Sequence, residues 1–477
     1  MTALSKICMI QANSSQNKHS QVGNPLSSGK NMTSLREKLR SPFAWVPTAY
    51  LAEGIPFAMV IWVAGTMFKD LGHTDSEITM STASIGVMWS LKPLYAGFLD
   101  MFKTKRFWVL AMQLVLAVLL GLWATSLALP NYFVVAILLL WLLAFASATQ
   151  DICIDGVYIT SLGSSEQGKF MGLQGAFWNA GRIFATAVVV GAAGKLQNNG
   201  LDARTAWAIA LALSMGAMAL LAAYHYWTLP SGSAPERPAN ALAVVNTFKD
   251  QFLDFLKKPH LLGMLTFVLL YRMGEGFLLL EAPLFMQGQV TNGGLGMCAT
   301  TEITAACPHL LESKALIDGL ISTIVSLAFG LLGGIFAGKY GLNRRTLVFM
   351  ALCLNLPHIT FYILSCMVTT EAPVSLPVIA TLVTLEKAGY SFGFVANMLY
   401  MMQQISPGRY HMTHYAYCTA IMNLTLIPTQ MASGVLADHL GFQTFFLVVM
   451  VASIPSILGA FFAPFPNKVD SASASQT

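Results

Sequence analysis

Charged residues are scarce in this chain of 477 residues: Lys, Arg, Asp and Glu make up 10% of it, against 55% hydrophobic residues. A soluble domain usually carries about 25% charged residues. The charges lie between long apolar runs, which is the distribution expected when lipid is the solvent. The net charge of +5 is modest and comes from basic residues in the connections, so nucleic acid is not an expected partner.

Motifs for catalysis and for cofactors are also missing from the sequence. Cys and His show no metal-ligand spacing, and no nucleophile stands beside a base in a known motif. The stretch from Gly333 to Lys339 has the spacing of a phosphate-binding loop, but Tyr340 replaces the Ser or Thr that would hold Mg²⁺. We therefore predict no enzyme activity, no cofactor and no metal site.

The two ends of the chain and its middle lack continuous apolar stretches. Residues 1–42 are rich in Ser, Asn, Gln and Lys, so we predict a disordered tail and no secretory signal there. We predict a second tail over 464–477. Residues 229–259 form a linker that begins Pro-rich and becomes amphipathic, which favours an interfacial helix over a merely solvated connection.

Twelve apolar runs are each long enough to span a bilayer, which takes about 20 residues. They cover 43–67, 77–98, 107–128, 132–157, 169–194, 205–228, 260–288, 315–338, 346–368, 374–402, 410–437 and 442–463. Basic residues occupy alternate connections, and the positive-inside rule then places both termini in the cytoplasm. The sequence predicts an all-α membrane protein with two six-helix halves, at 43–228 and 260–463.

An internal repeat relates the two halves. GFLDMFKTKRF at 97–107 matches GKYGLNRRTL at 338–347 with an offset of 241 residues, and GKF at 168–170 matches GRY at 408–410 with an offset of 240. Two parallel six-helix halves are the plan of the major facilitator fold. AEGIPF at 52–57 matches GEGFLL at 274–279 with an offset of only 222.

The shorter offset indicates an insertion after the seventh run. Residues 289–314 are polar and have no counterpart between the first two runs, so we predict an outer loop there. Cys298 and Cys307 lie in this loop and would form a disulfide in an oxidising compartment.

Ionisable residues inside the apolar runs are the main functional signal, because an unpartnered charge at the bilayer centre costs about 3 kcal/mol or more. Asp151 and Asp155 are four residues apart and share a helical face. Ionising both would be costly, so one of them can carry a proton. Arg182 is a candidate counter-charge. The predicted substrate or proton-coupling residues are Glu53, Gln150, Asp151, Asp155, Arg182, Arg272, Glu275, Glu386 and Lys387.

Several of these residues stand beside helix-breaking residues. Glu53 precedes Gly54, and Arg272 and Glu275 share a helical face in a Gly-containing stretch, as in broken helices that line transporter cavities. Glu386 and Lys387 lie roughly where the acids of the fourth run fall in the first half. The alternative is that these charges only pair with one another to pack helices. We expect Lys92 to extend towards the cytoplasmic face.

A charged motif follows the second run and recurs after the eighth. We interpret it as a gate, since such charges can lock two helices in one state and release them in another; a plain basic loop is the alternative. The predicted gating residues are Gly97, Asp100, Lys103, Lys105 and Arg106, with Gly338, Arg344 and Arg345 in the second half.

Three of these stretches resemble a known family. GFLDMFKTKR resembles the signature of the major facilitator superfamily, and ATQDICIDGVYI at 148–159 resembles the fourth helix of its muropeptide and acetyl-coenzyme A permeases, the AmpG-like branch. EKAGYSFGFVANMLYMMQQ at 386–404 resembles their tenth helix. The resemblance implies proton-coupled import of an organic solute, such as anhydro-muropeptide, by a multi-pass protein of the bacterial inner membrane. The implied partners are the solute, protons and lipid, and we expect a monomer.

Other functions stay open at this point. Siderophore importers are similar enough to be an alternative, and export instead of import is compatible with the same residues. A non-transporting membrane sensor or scaffold is an alternative of another class. It would tolerate loss of the intramembrane charges and would show no substrate-dependent proton flux.

Overall fold

The computed structural model of the chain describes residues 40–232 and 240–466. The predicted terminal tails, 1–42 and 464–477, lie largely outside the described residues, as does part of the predicted linker.

The described residues are mostly helical. The α-helices are α1 (Pro42–Ala58), α2 (Ala64–Asp70), α3 (Asp75–Thr82), α4 (Val87–Ser90), α5 (Lys92–Phe102), α6 (Lys105–Ser126), α7 (Tyr132–Ser161), α8 (Ser164–Ile183), α9 (Val190–Asn198), α10 (Ala203–Thr228), α11 (Ala241–Leu256), α12 (Leu261–Tyr271), α13 (Met273–Gln287), α14 (Leu311–Lys314), α15 (Ser322–Tyr340), α16 (Arg344–Asn355), α17 (Ile359–Met367), α18 (Leu376–Tyr400), α19 (His411–Ala452) and α20 (Ile454–Phe462). Strands β1 (Met297–Cys298) and β2 (His309–Leu310) pair in parallel. Turns of π-helix cover Met59–Val63, Phe184–Val189, Ala315–Ile321 and Met401–Ile405, and 3₁₀ turns cover Ala83–Gly86, Val290–Asn292 and Leu356–His358.

Ten helical stretches in the described ranges are long and apolar enough to cross a membrane. Several of them join two helices: α1 and α2 form one stretch from Pro42 to Asp70, and α12 and α13 form another from Leu261 to Gln287. This confirms the predicted all-α, multi-pass membrane protein.

Three of the predicted runs differ from the structure. The run at 77–98 is broken into α3, a 3₁₀ turn, α4 and α5, and Pro93, at the second position of α5, accounts for the last break because it has no backbone N–H to continue a helix. The last two runs are joined within α19, which turns at Gly441 with a backbone φ of 73°. The count of twelve therefore stays a prediction.

Close backbone contact joins α1 to α8. A Cβ atom on Gly54 would lie 2.2 Å from the carbonyl oxygen of Trp178, and one on Gly181 would lie 2.6 Å from that of Leu51. Only glycine fits at such a contact. It fixes the position of Glu53, next to Gly54, and of Arg182, next to Gly181.

In each half, an arginine binds a carbonyl oxygen at the end of that half's last helix. Arg106 donates a hydrogen bond to the carbonyl oxygen of Tyr226 near the end of α10, and Arg344 Nη2 donates one of 3.4 Å to Ala463, just after α20. Both arginines place a cation where helix carbonyls are unsatisfied. Their spacing of 238 residues is two to three residues shorter than the offsets of 240 and 241 in the predicted repeat.

The halves are joined tightly at one end, which we call the loop side because it carries residues 288–310. Here Ser76 N donates to Asp438 Oδ2 at 2.8 Å, and Gln287 Nε2 donates to the carbonyl oxygen of Thr66 at 3.0 Å. We call the opposite end, with Lys103, the basic side. The loop side is therefore the closed end of the molecule.

The inserted loop covers part of the loop side. A disulfide joins Cys298 and Cys307, whose Cα atoms are 5.6 Å apart, and their segments carry β1 and the residues before β2. Both cysteines line a cavity of about 760 Å³ together with Lys69 and Asp438, which belong to different halves.

Candidate functional site

Three acidic side chains meet where α1 packs against α7. Oxygens of Glu53, Asp151 and Asp155 all lie within 4.8 Å of one another, and we call this group the carboxylate cluster. Tyr50 Oη donates a 2.8 Å hydrogen bond to Asp155 Oδ1. Lys92 Nζ forms an ion pair with Asp151 Oδ2. Three acids thus share one lysine, which leaves an excess of negative charge for a proton or another cation to neutralise.

Gln150 fixes the register between the two helices of the cluster. Its Nε2 donates a 2.8 Å hydrogen bond to the carbonyl oxygen of Ala52, the residue before Glu53. Glu53 is 4% exposed, and its Oε1 has no hydrogen-bond partner among the residues that the structure describes. A buried carboxylate oxygen without a donor is costly, so Glu53 is a natural place for a proton.

The lysine of this cluster corrects two sequence-based expectations. We expected Lys92 to extend towards the cytoplasmic face and Arg182 to balance the acids of the fourth run. The structure instead pairs Lys92 with Asp151, because α5 begins beside α7 and points its first side chain at the cluster. Arg182 lies at a different place, on the wall of the central cavity.

A cavity of about 510 Å³ lies between the two halves and is lined by both of them. Its walls are rich in aromatic rings and amides: Phe57, Trp62, Trp89, Trp178, Tyr390, Phe394, Asn179, Asn423 and Gln430. Two arginines face it from opposite halves and stack on rings, Arg182 over Trp62 at 4.4 Å and Arg272 over Phe394 at 4.9 Å. Rings and guanidinium groups suit a solute that carries ring faces and an acidic group.

The two arginines differ in what already binds them. Arg272 Nε donates to Glu275 Oε2 at 2.7 Å, and its Nη2 binds the other carboxylate oxygen, so its charge is matched. The Nε of Arg182 has no hydrogen-bond partner within the described ranges, and the acid near this arginine is Asp318, which lines a small cavity with it. Of the two arginines, Arg182 therefore has the charge that is less closely matched.

Glu386 and Lys387 pair with each other, with Lys387 Nζ 3.1 Å from Glu386 Oε2. Lys387 also lines a small cavity with Arg182 and Asp318, a residue that the sequence analysis missed. Asp318 lies in a π-helical turn far from both basic residues in sequence. Its only signal in the sequence was an acid close to the start of an apolar run.

The second half does not repeat the carboxylate cluster. Tyr271 Oη donates a 2.8 Å hydrogen bond to the carbonyl oxygen of Gly393, as Tyr50 does to Asp155, and the offsets of these two pairs are 221 and 238 residues. The equivalent of Asp155 is therefore Gly393. Our expectation that Glu386 corresponds roughly to the acids of the fourth run stays a prediction, since the same offset places the equivalent of Asp151 at Gly389, three residues after Glu386.

The carboxylate cluster adjoins the central cavity. Glu53, Lys92 and Asp151 line a cavity of about 270 Å³ that shares Trp89 and Trp178 with the central one. Phe57 and Asn423 also line both cavities. A change of charge in the cluster is therefore close enough to act on a solute in the central cavity.

Solved structures of transporters resemble the whole molecule. The nucleoside transporter NupG matches with a TM-score of 0.66 at 14% identity, over 91% of this chain and 100% of that one. A D-xylose-proton symporter matches with a TM-score of 0.60 at 15% identity, over 92% and 99%. The chain has the major facilitator fold. The predicted fold class is thereby confirmed.

Curated proteins that are similar in sequence to this chain carry the name AmpG. "Putative transporter AmpG 4" of Rickettsia conorii is 20% identical over 422 residues, which cover 85% of this chain and 92% of the relative. "Putative transporter AmpG 3" of Rickettsia typhi is 22% identical over 411 residues, covering 83% and 90%. No protein-family model matches the chain. The resemblance to AmpG-like transporters is confirmed, and these relatives agree with the prediction that the chain is not an enzyme.

The predicted gating residues lie at the basic side of the molecule. A Cβ on Gly97 would lie 2.9 Å from Val244 in α11, whereas Gly338 has open space around it. Arg106 and Arg344 bind helix ends within their own halves, and the side chain of Asp100 lies outside what the structure describes. Lys103 lies 5.8 Å from the ring of Phe107.

The remaining gating residues, Lys105 and Arg345, have contacts within their own halves. The Lys105 side chain lies against Gly156 of α7, and the backbone N–H of Arg345 donates to Asn343 Oδ1 at 3.0 Å. A role of these residues in gating stays a prediction.

Proposed function

We propose that this protein is a secondary transporter that imports an acidic organic solute, such as anhydro-muropeptide, together with protons across the bacterial inner membrane. The observation that carries the proposal is the carboxylate cluster beside a cavity lined by both halves. Ionisable groups at such depth persist when they bind ions or substrate.

The charge balance of the cluster supports proton coupling. Lys92 neutralises one of the three acids, and Tyr50 donates to another. Ionising all three in a buried site would be costly, so a proton binds when the site is empty of other cations. Release of that proton returns negative charge to the cluster, which then competes with an acidic solute for the cations around the cavity.

The closed loop side supports an interpretation of the structure as the state that releases solute. Hydrogen bonds such as those from Ser76 to Asp438 seal the loop side. On the basic side a cavity of about 690 Å³ is lined by α5, α11 and the start of α19. With the basic side in the cytoplasm, the solute would leave the central cavity inwards. Alternating access then needs the loop side to open.

The chemistry of the central cavity supports an acidic solute with ring faces. Arg182 lines the cavity and has an Nε without a hydrogen-bond partner among the described residues, so it can donate to a carboxylate, and the aromatic walls can stack on sugar or other rings. Anhydro-muropeptide combines sugar rings, amides and carboxylates. The relatives named AmpG favour this solute over others of the same class.

Uptake into proteoliposomes tests the proposal. We expect Asp151→Asn and Asp155→Asn each to abolish uptake of labelled anhydro-muropeptide driven by a pH gradient, while the purified variants keep the wild-type elution profile. Glu371→Gln, which removes an acid from an exposed connection, is the matched control and keeps full uptake.

Three results would contradict the proposal. Full proton-driven uptake by both Asn variants would show that the carboxylate cluster takes no part in proton coupling. Uptake of a ferric siderophore without uptake of the muropeptide would show that the substrate is a siderophore. Absence of any substrate-dependent proton flux in the wild type, with both solutes and in both membrane orientations, would favour a sensor or scaffold.

A further inference from the structure

A buried acid lies at the loop side, apart from the carboxylate cluster. Glu281 stands six residues before the end of α13, about 9 Å along the helix from its last residue. Its side chain is 0% exposed, and both carboxylate oxygens lack a hydrogen-bond partner among the described residues. Neither the carboxylate cluster nor the central cavity includes it.

Glu281 is enclosed by both halves. Its carboxyl group lies beside Asp75, at the start of α3 in the first half, and Ser433, in α19 of the second half. Close packing holds these elements together, because a Cβ on Gly434 would lie 2.2 Å from the carbonyl oxygen of Asp75. Separating the halves at the loop side would therefore expose Glu281 to water.

The neighbours of Glu281 have their own hydrogen atoms committed elsewhere. Lys69 Nζ donates to Asp75 Oδ1 at 2.5 Å, so Asp75 is the ionised member of this group. Ser433 Oγ donates to the carbonyl oxygen of Gln430 at 2.8 Å. The single hydroxyl hydrogen of Ser433 is thus used by Gln430, and neither carboxylate oxygen of Glu281 has a hydrogen-bond partner among the described residues.

Other charged groups on the packed elements are also engaged. From α19, Asp438 accepts from Ser76. From α14, Lys314 Nζ donates to Thr66 Oγ1 at 2.6 Å and to Gln287 Oε1 at 3.2 Å. Neither group is in position to supply a hydrogen to Glu281.

We propose that Glu281 is a second proton-binding site, which holds a proton while the halves are closed at the loop side and releases it outwards when they separate. Two carboxyl groups in contact can form a hydrogen bond only when one carries the hydrogen, and here Asp75 is the acceptor. An ionised Glu281 would be a buried charge without a donor, whereas the neutral acid can donate to Asp75 or Ser433. Opening restores hydration and favours ionisation.

This inference rests on the proposed function only through alternating access. The carboxylate cluster would bind a proton beside the solute, whereas Glu281 would link proton binding to closure of the loop side. The presence of the proton on Glu281 can be measured without any solute. Its test can therefore fail while proton-coupled uptake stands, and the reverse also holds.

Infrared spectroscopy of the full-length protein in lipid tests for the proton. At neutral pH we expect the carbonyl-stretch band of protonated carboxylic acids to lose the contribution of Glu281 in Glu281→Gln. The glutamine has the same shape as the neutral acid, so the closed state should persist. The matched control is Glu302→Gln, which removes an exposed acid from the outer loop that follows α13 and should leave the band unchanged. A spectrum of Glu281→Gln that keeps the full wild-type band would overturn the proposal.

A second variant keeps the test informative if Glu281→Gln does not fold. In Asp75→Asn the new amide can donate to Glu281, which would then ionise, so we expect the band to be lost or shifted. An unchanged band in folded Asp75→Asn would contradict the assignment. Acids of the carboxylate cluster contribute the same background to every spectrum and cancel in the difference between variants.

Discussion

Lys92 determines how many negative charges the carboxylate cluster can hold. It pairs with Asp151, and the two side chains are 26% and 16% exposed. Removing one partner of a fully buried pair costs about 3–5 kcal/mol, and partial exposure lowers this to an expected cost of about 1–2 kcal/mol. We predict that Lys92→Met lowers the thermal unfolding midpoint and stops proton-driven uptake.

The double variant Lys92→Met with Asp151→Asn separates the two effects of this change. It removes both charges together, so we expect the unfolding midpoint to recover while uptake stays lost. Thermal unfolding in detergent and uptake in proteoliposomes measure the two quantities. Recovery of uptake in the double variant would show that the pair only stabilises the fold.

Arg182 offers a direct test of the charge of the solute. A hydrogen bond to a charged group contributes about 1.5–3 kcal/mol, so we predict that Arg182→Gln weakens binding of an acidic solute about 10- to 150-fold. Binding to the purified protein can be measured by calorimetry. Arg204→Gln, an exposed arginine that stacks on Tyr132, is the control. Equal affinity in Arg182→Gln and wild type would remove Arg182 from the binding site.

Part of this site follows from the sequence at the scale of single residues. Asp151 and Asp155 share a face because they are four residues apart on one helix, and the same reasoning applies to Arg272 and Glu275. Partners on different helices do not follow from spacing. The pairing of Lys92 with Asp151 and the presence of Asp318 beside Arg182 were not predicted for this reason. Glu281 was not among the predicted site residues because its importance lies in what the other half places around it.

At the scale of whole elements, substitutions of glycine can test the contact between α1 and α8. A Cβ on Gly181 would lie 2.6 Å from the carbonyl oxygen of Leu51, whereas a Cβ on Gly175 of the same helix meets nothing within 4 Å. We predict that Gly181→Ala lowers stability by about 1–3 kcal/mol through overpacking. Gly175→Ala should be neutral or stabilising by up to about 1 kcal/mol, because Ala favours helix.

Chemical unfolding of the two variants in the same detergent measures the difference. Because the glycine contact also positions Glu53 and Arg182, uptake should fall in Gly181→Ala and not in Gly175→Ala. A stability for Gly181→Ala equal to that of Gly175→Ala would mean that α1 and α8 do not pack as the structure has them.

Hydropathy located most of the elements but not their irregularities. The run at 77–98 has the composition of one helix, yet it bends where Pro93 and the 3₁₀ turn Ala83–Gly86 interrupt it. Hydropathy averages over about 20 residues and cannot resolve such breaks. The break at Arg272, by contrast, falls in the Gly-containing stretch where the sequence analysis expected one.

At the scale of the whole molecule, the repeat predicted the two-half plan because each half must bury similar helix faces and turn at similar basic connections. Sequence alone could not indicate which end of the molecule is closed, since the two states of a transporter have the same sequence and differ by a few kcal/mol. The contacts from Ser76 to Asp438 and from Gln287 to Thr66 assign the closed end to the loop side.

Closure at the loop side leads to a prediction about transport. Ser76 N lies 2.8 Å from Asp438 Oδ2, so cysteines at these two positions can be joined by a short thiol cross-linker. Alternating access requires this contact to break in every cycle. We predict that the cross-linked Ser76→Cys, Asp438→Cys variant loses uptake but still binds solute from the basic side, because the central cavity stays accessible there.

The two single-cysteine variants treated with the same reagent are the controls, since they carry the substitutions and the native cysteines without a bridge. They should transport after treatment at the rate they show before it. Mass spectrometry of the linked peptide confirms that the bridge has formed. Uptake at the untreated rate by fully cross-linked protein would show that the loop side need not open, and both the direction of transport and the outward release of a proton from Glu281 would then have to be abandoned.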